Sequence, residues 1–173
     1  GEEGGAELML KEGIFDDPRP AAVFGAHLGL GMPSGQIALR SGPAMAAVDR
    51  FTIKVVGKQS HGSQPWNGID PVVVSAQIIL GLQTIASRQV DVTNQPSVIS
   101  VGMVHGGIRF NIIPDEVELE GTIRTFDEGM RQAVRAGLHA VLQVHAPGAA
   151  VAQQRLETRQ VQRRADDQHV AHP

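Results

Sequence analysis

Ten residues, Glu116 to Thr125, limit the fold more than any other stretch of this chain. Val117, Leu119 and Ile123 fall on one side of a two-residue repeat. Glu116, Glu118, Glu120, Thr122 and Arg124 fall on the other. A strand with that pattern lies in an antiparallel sheet with one covered face and one wet face. The covered face needs apolar partners, and the chain offers them nearby. Phe51 to Val56 alternates as a second strand, and Ser97 to Val104 reads as a third. Pro71 opens an apolar helix through about Arg88, proline being suited to the first helical turn. Asp127 can cap another helix, with Met130, Val134, Leu138, Val141 and His145 as its stripe. A further strand is expected near Ala149 to Arg155. The order is β-α-β-β-α-β, the split unit of ferredoxin-like α+β domains.

The remainder is less regular. Residues 1–46 mix glycine and proline punctuation with short apolar pieces. Ala6 to Lys11 reads as a helical turn or two. Ala21 to Ala26 reads as a short buried strand ending at His27. That piece is too small for its own core and reads as part of something larger. The chain opens on Gly1, which reads as a front segment removed. From about Val151 the sequence turns rich in Gln and Arg, with little apolar periodicity, and reads as a disordered or weakly helical tail. The net charge of −3 gives no basic surplus for nucleic acid or an anionic membrane. No apolar run approaches the roughly 18 residues of a membrane span. Without cysteine, disulfides and thiolate metal sites are excluded.

Several polar residues sit where chemistry is possible. Glu2 and Glu3 diverge from a glycine-rich turn. One can ligate a metal while the other activates water, or both can form a solvated acidic turn. His27 ends the apolar run before Leu28-Gly29-Leu30-Gly31, a ligand-like position or a hydrogen-bonded structural one. His61 lies in the glycine-rich connection from Gly57 to Pro71, flanked by Ser60, Gly62 and Ser63. It can donate to an oxyanion or stand as a plain loop histidine. Asn111 sits among apolar residues, so its amide has a dedicated use in substrate binding or in the turn. Arg124 can grip a carboxylate bidentately or pair with Glu116, Glu118 or Glu120 across strands.

Five stretches carry a resemblance. They are Glu2-Glu3-Gly4-Gly5, Gly25-Ala26-His27, Gly57 to Pro65, Asn111-Ile112-Ile113-Pro114-Asp115 and Gly121-Thr122-Ile123-Arg124-Thr125. In order and spacing the chain resembles the co-catalytic metal amidohydrolases and carboxypeptidases, which include hippurate hydrolase, aminoacylase and auxin-conjugate hydrolases. The likeness runs from Gly1 to about Gly148, and the hippurate hydrolase branch fits best. It implies a ferredoxin-like lid, or dimerisation domain, at residues 47–148. It also implies part of the family's catalytic α/β domain at 1–46, and it leaves 149–173 as an unmatched polar tail. By the same likeness Glu2 is the general base, and Glu3 and His27 are metal ligands. His61 reaches the partner subunit's site to steady the oxyanion, and Asn111 and Arg124 hold the substrate. The implied metal is zinc, with manganese or cobalt as alternatives. The implied partners are a second subunit and a small N-acyl amino acid or peptide, with no nucleic acid and no membrane, in the cytoplasm.

The departures set further expectations. A catalytic metal needs about three protein ligands, and this chain matches only Glu3 and His27. The chain alone is therefore expected to be inactive. The competing expectation is a non-catalytic dimerisation or interaction module; a weaker one is a product without function.

Overall fold

The computed structural model describes residues 5–29, 31–39, 41–146 and 153–159. The chain divides into two compact units, Gly1–Gly42 and Pro43–Pro173.

In the first unit, helix α1 spans Gly5–Lys11. It ends in a turn where Gly13 adopts a positive φ of 78°, a conformation glycine reaches without steric cost. The strand expected at Ala21 to Ala26 is not formed, and these residues are irregular and exposed. Val23 and Phe24 are 65% and 94% exposed. A strand needs a neighbour for its backbone groups, and the described residues of this unit contain no sheet.

The second unit holds strands β1 (Ala47–Val56), β2 (Ser60–His61), β3 (Ser97–Gly106), β4 (Ile112–Ile113), β5 (Glu116–Thr125) and β6 (Gln153–Arg159). Its helices are α2 (Pro71–Thr84), prolonged by a π turn over Ile85–Gln89, and α3 (Glu128–His145). The main sheet runs β3-β5-β1-β6, antiparallel at every junction. That is the ferredoxin-like order read from the alternation. The fourth strand lies four residues later than expected, within the Gln/Arg-rich stretch. Residues 153–159 are thus neither disordered nor helical. A polar strand suits the sheet edge, where only one neighbour must be satisfied.

The core forms where the alternation said it would. Phe51, Ile53 and Val55 of β1 and Val117, Leu119 and Ile123 of β5 face Ile78 and Leu82 of α2 and Val134 and Leu138 of α3. Asp70 caps α2 by accepting from the Val72 and Val73 N–H groups at 2.9 and 3.3 Å. Asp127 caps α3 by accepting from the Met130 N–H at 2.8 Å. Gly121 occupies a core slot of β5 because a Cβ there would overlap the Phe51 ring and the Ser100 carbonyl.

Strand β1 starts four residues before the apolar alternation does. Asp49 takes an inward slot and is 1% exposed, and Arg131 of α3, outside the expected stripe, is 3% exposed. The Arg131 guanidinium donates to both Asp49 carboxylate oxygens, each at 2.8 Å. It also donates to Glu128 at 3.0 Å. The hydrogen bonds to Asp49, ahead of those to Glu128, raise the guanidinium further above its already high pKa.

Candidate active-site lid

Two loops meet at one end of the sheet. The Gly57 N–H donates to the Asp115 carbonyl at 2.7 Å, where both loops leave it. Lys58 and Ile69 exchange backbone hydrogen bonds at 2.9 and 3.0 Å, closing the first loop on itself. Strands β2 and β4 then zip the two loops together, Ser60 opposite Ile113 and His61 opposite Ile112. The Gly62 N–H extends this ladder to the Asn111 carbonyl at 2.8 Å. A Cβ on Gly62 would already lie 3.0 Å from that oxygen, so glycine allows the approach.

His61 is exposed at this junction. A turn closed from the Gln64 N–H to the His61 carbonyl, at 2.8 Å, folds Ser63 back onto the ring. Nδ1 lies 3.1 Å from the Ser63 backbone nitrogen and 2.8 Å from its hydroxyl. Asn111 is half-buried, and its main chain holds the ladder. Phe110 is fully exposed beside it, and Trp66 is 76% exposed in the facing loop.

Arg124 lies elsewhere. It stands opposite Val48 and Val98, at the far end of β5. Eight residue steps separate it from Glu116, about 27 Å of extended strand. Cross-strand pairing with Glu116, Glu118 or Glu120 does not occupy it, because all four residues lie on β5 itself; Lys54 takes Glu116 at 2.6 Å and Arg50 takes Glu120 from the neighbouring strand. Among the described residues Arg124 is exposed and makes no ion pair. The hydrogen bond and charge of Glu116 hold the Lys54 amine above its ordinary pKa. The structure therefore joins His61 with Asn111 and sets Arg124 apart.

His27 is exposed, with Nδ1 2.8 Å from the Leu28 carbonyl. A carbonyl only accepts, so Nδ1 carries a proton, and in the neutral ring the lone pair a metal ligand needs is then on Nε2. Glu2 and Glu3 lie outside the described residues. Among the described residues no cluster of three or more His, Cys, Asp or Glu could hold a metal ion. These residues do not by themselves fit a catalytic metal. No helix among them is long and apolar enough to cross a membrane.

Residues 48–150 match the family described as the peptidase dimerisation domain. The chain belongs to this M20 dimerisation-domain family. The N-acetylcysteine deacetylase of Bacillus subtilis is 41% identical over 144 residues, 83% of this chain and 37% of that protein. The hippurate hydrolase of Campylobacter jejuni is 35% identical over 141 residues, 80% of this chain and 36% of that protein. Among solved structures, Bacillus subtilis YxeP, a dinuclear metal-binding peptidase of the M20 family, is 35% identical with a TM-score of 0.63. That match covers 90% of this chain and 36% of YxeP. The chain spans roughly a third of the length of the curated relatives it matches. Its relatives include an N-acyl-L-amino acid amidohydrolase of Geobacillus stearothermophilus, and the family has a dinuclear metal-binding member.

The buried Asp49–Arg131 pair is the feature sequence reasoning missed. The available signal was an acidic and a basic residue at positions where the neighbouring periodicity calls for apolar ones.

Proposed function

We propose that this chain is the lid, with an adjoining strip of the catalytic unit, of an N-acyl-amino-acid amidohydrolase of the hippurate hydrolase kind. Two lids pair about a two-fold axis, and each active site is shared between subunits. The observation that carries this reading is that Arg124 lies at the far end of β5 from the loops carrying His61 and Asn111, β5 itself extending about 27 Å between Glu116 and Arg124. No single N-acyl amino acid bridges that distance. Strand β3 is a sheet edge with β5 as its only described neighbour. Two β3 edges joined into one sheet by a two-fold axis normal to it run antiparallel. That pairing carries Arg124 of one subunit toward His61 of the partner subunit. Val72, Val73 and Leu80 on α2 are 50%, 54% and 71% exposed, apolar area that pairing can cover.

In this site Arg124 grips the substrate carboxylate with its planar fork. Asn111 of the partner subunit orients the amide, and His61 of the partner subunit donates a hydrogen bond to the oxygen that gains charge. Removing such a donor lowers kcat by about 10²–10³. Glu2 is assigned as the general base and Glu3 and His27 as metal ligands. Zinc is the assigned metal, and the remaining ligands come from outside this chain. Residues 1–46 belong to the catalytic unit, and the lid sheet runs from residue 47 through β6. The cytoplasm is the assigned compartment.

Subunit complementation tests the shared site in the intact enzyme that carries this sequence. Arg124→Ala and His61→Ala enzymes are each expected to fail on N-benzoylglycine. Dissociated and reassembled in equal amounts, they should recover about a quarter of wild-type activity, because half the dimers then hold one unaltered site. No recovery, with mixed dimers shown to form, refutes the shared site. The 173-residue chain alone is expected to sediment as a dimer and to leave N-benzoylglycine intact. That behaviour also suits a non-catalytic dimerisation module, and the complementation assay separates the two.

A further inference from the structure

We infer that Ser63 is a positioning residue that locks His61 in the tautomer with its proton on Nε2, so that the ring offers a donor away from its own loop. This rests on the proposed role of His61 as oxyanion donor, but its premises are geometric. The Ser63 backbone N–H donates to His61 Nδ1 at 3.1 Å. An amide N–H cannot accept, so Nδ1 must supply a lone pair, and the neutral ring then carries its hydrogen on Nε2. The Ser63 hydroxyl, 2.8 Å from the same nitrogen, must also donate.

The local chain explains why Nδ1 is the atom held. Only the nearer ring nitrogen reaches the N–H two residues on, closing the kind of ring an Asx turn makes. The His61–Gln64 turn brings that N–H into place. The β2–β4 ladder fixes the His61 backbone. Nε2 has no hydrogen-bond partner among the described residues, which leaves its N–H for a ligand. Ser60, the other flanking serine, cannot substitute. Its hydroxyl is buried without a hydrogen-bond partner and is hemmed in by Gly68.

Long-range proton–nitrogen correlation spectra of the ¹⁵N-labelled chain, recorded well above the ordinary histidine range, read the tautomer directly. His61→Gln assigns the signal. The wild-type ring is expected in the Nε2–H form, beyond the mixture shown by a free imidazole. Ser63→Ala keeps the backbone donor but loses the hydroxyl. It should move the ratio about two- to tenfold toward that mixture, the worth of one neutral hydrogen bond. Ser63→Thr should restore the ratio, and Ser60→Ala should leave it unchanged. Backbone dispersion in the same spectra shows that each variant is folded. A free-imidazole ratio in the wild type, an Nδ1–H ring, or a ratio indifferent to Ser63→Ala would overturn the inference. Because no activity is measured, failure here is distinct from failure of the shared-site reading, which the complementation assay addresses.

Discussion

Replacing Asp49 by alanine should destabilise the second unit by about 3 kcal/mol. The Arg131 guanidinium is left buried without the carboxylate that takes two of its hydrogen bonds at 2.8 Å. Breaking a buried pair by removing one partner costs about 3–5 kcal/mol. Glu128 softens the loss, since its carboxylate lies 3.0 Å from the same guanidinium. Its side chain is 60% exposed, so that contact is worth at most about 1 kcal/mol. The expectation therefore sits at the low end of the range. Replacing both partners with apolar residues, Asp49→Val with Arg131→Met, removes the stranded charge. It should return stability to within about 1 kcal/mol of the original. Urea denaturation followed by circular dichroism measures Asp49→Ala and the four members of the cycle: wild type, Asp49→Val, Arg131→Met and their double. With a slope of about 2 kcal/mol/M, Asp49→Ala shifts the midpoint down by about 1.5 M. The shift should persist at high salt, because buried charges are screened little. A loss below about 1 kcal/mol, or a double variant as unstable as the two singles summed, would refute the argument.

Four further outcomes are expected. Gly121→Val should prevent cooperative folding, because its side chain would overlap Phe51 and the Ser100 carbonyl; a normal thermal transition would contradict the close packing there. Asp70→Ala should cost about 1 kcal/mol by urea titration, the usual worth of an N-cap serving the start of a helix. Leu80→Lys should weaken self-association of the chain in sedimentation while leaving its circular dichroism unchanged; an unaltered dimer would place the interface away from α2. The hydrogen bond from Gln132, and next that from Arg131, hold the Glu128 carboxyl below its ordinary 4.5. Its contribution is full above that value and is lost as pH falls through the lower folded value. The difference between wild type and Glu128→Gln should thus be a few tenths of a kcal/mol at neutral pH and vanish in acid. A difference that grows in acid would reverse the assigned sign.

Much of the lid was legible without coordinates, for local reasons. Alternation fixed β5 because each inward residue loses contact with water and each outward one keeps it. Pro71 and Asp127 marked helix starts because they dispense with or satisfy unpaired N–H groups. Where the sequence misled, a nonlocal partner was at work. Asp49 hid the start of β1 because a carboxylate takes a core slot only when a guanidinium from another element meets it. The apolar run at Ala21 to Ala26 suggested a strand, but no strand among the described residues pairs with it and its backbone is irregular. Residues 153–159 read as polar tail because an edge strand needs little apolar periodicity.

The same division runs through the site. Residue type and setting marked His61, Asn111 and Arg124 as candidates, each with a structural alternative, and the resemblance suggested their roles. Their chemistry belongs to the side chains and is carried by the sequence. Only the tertiary structure decided that His61 and Asn111 share one end of the sheet while Arg124 takes the other. Two loops far apart in sequence must first be zipped by β2 and β4, and an extended β5 must first hold its ends apart. Those distances are set by hydrogen bonding between strands, which no single stretch of sequence contains.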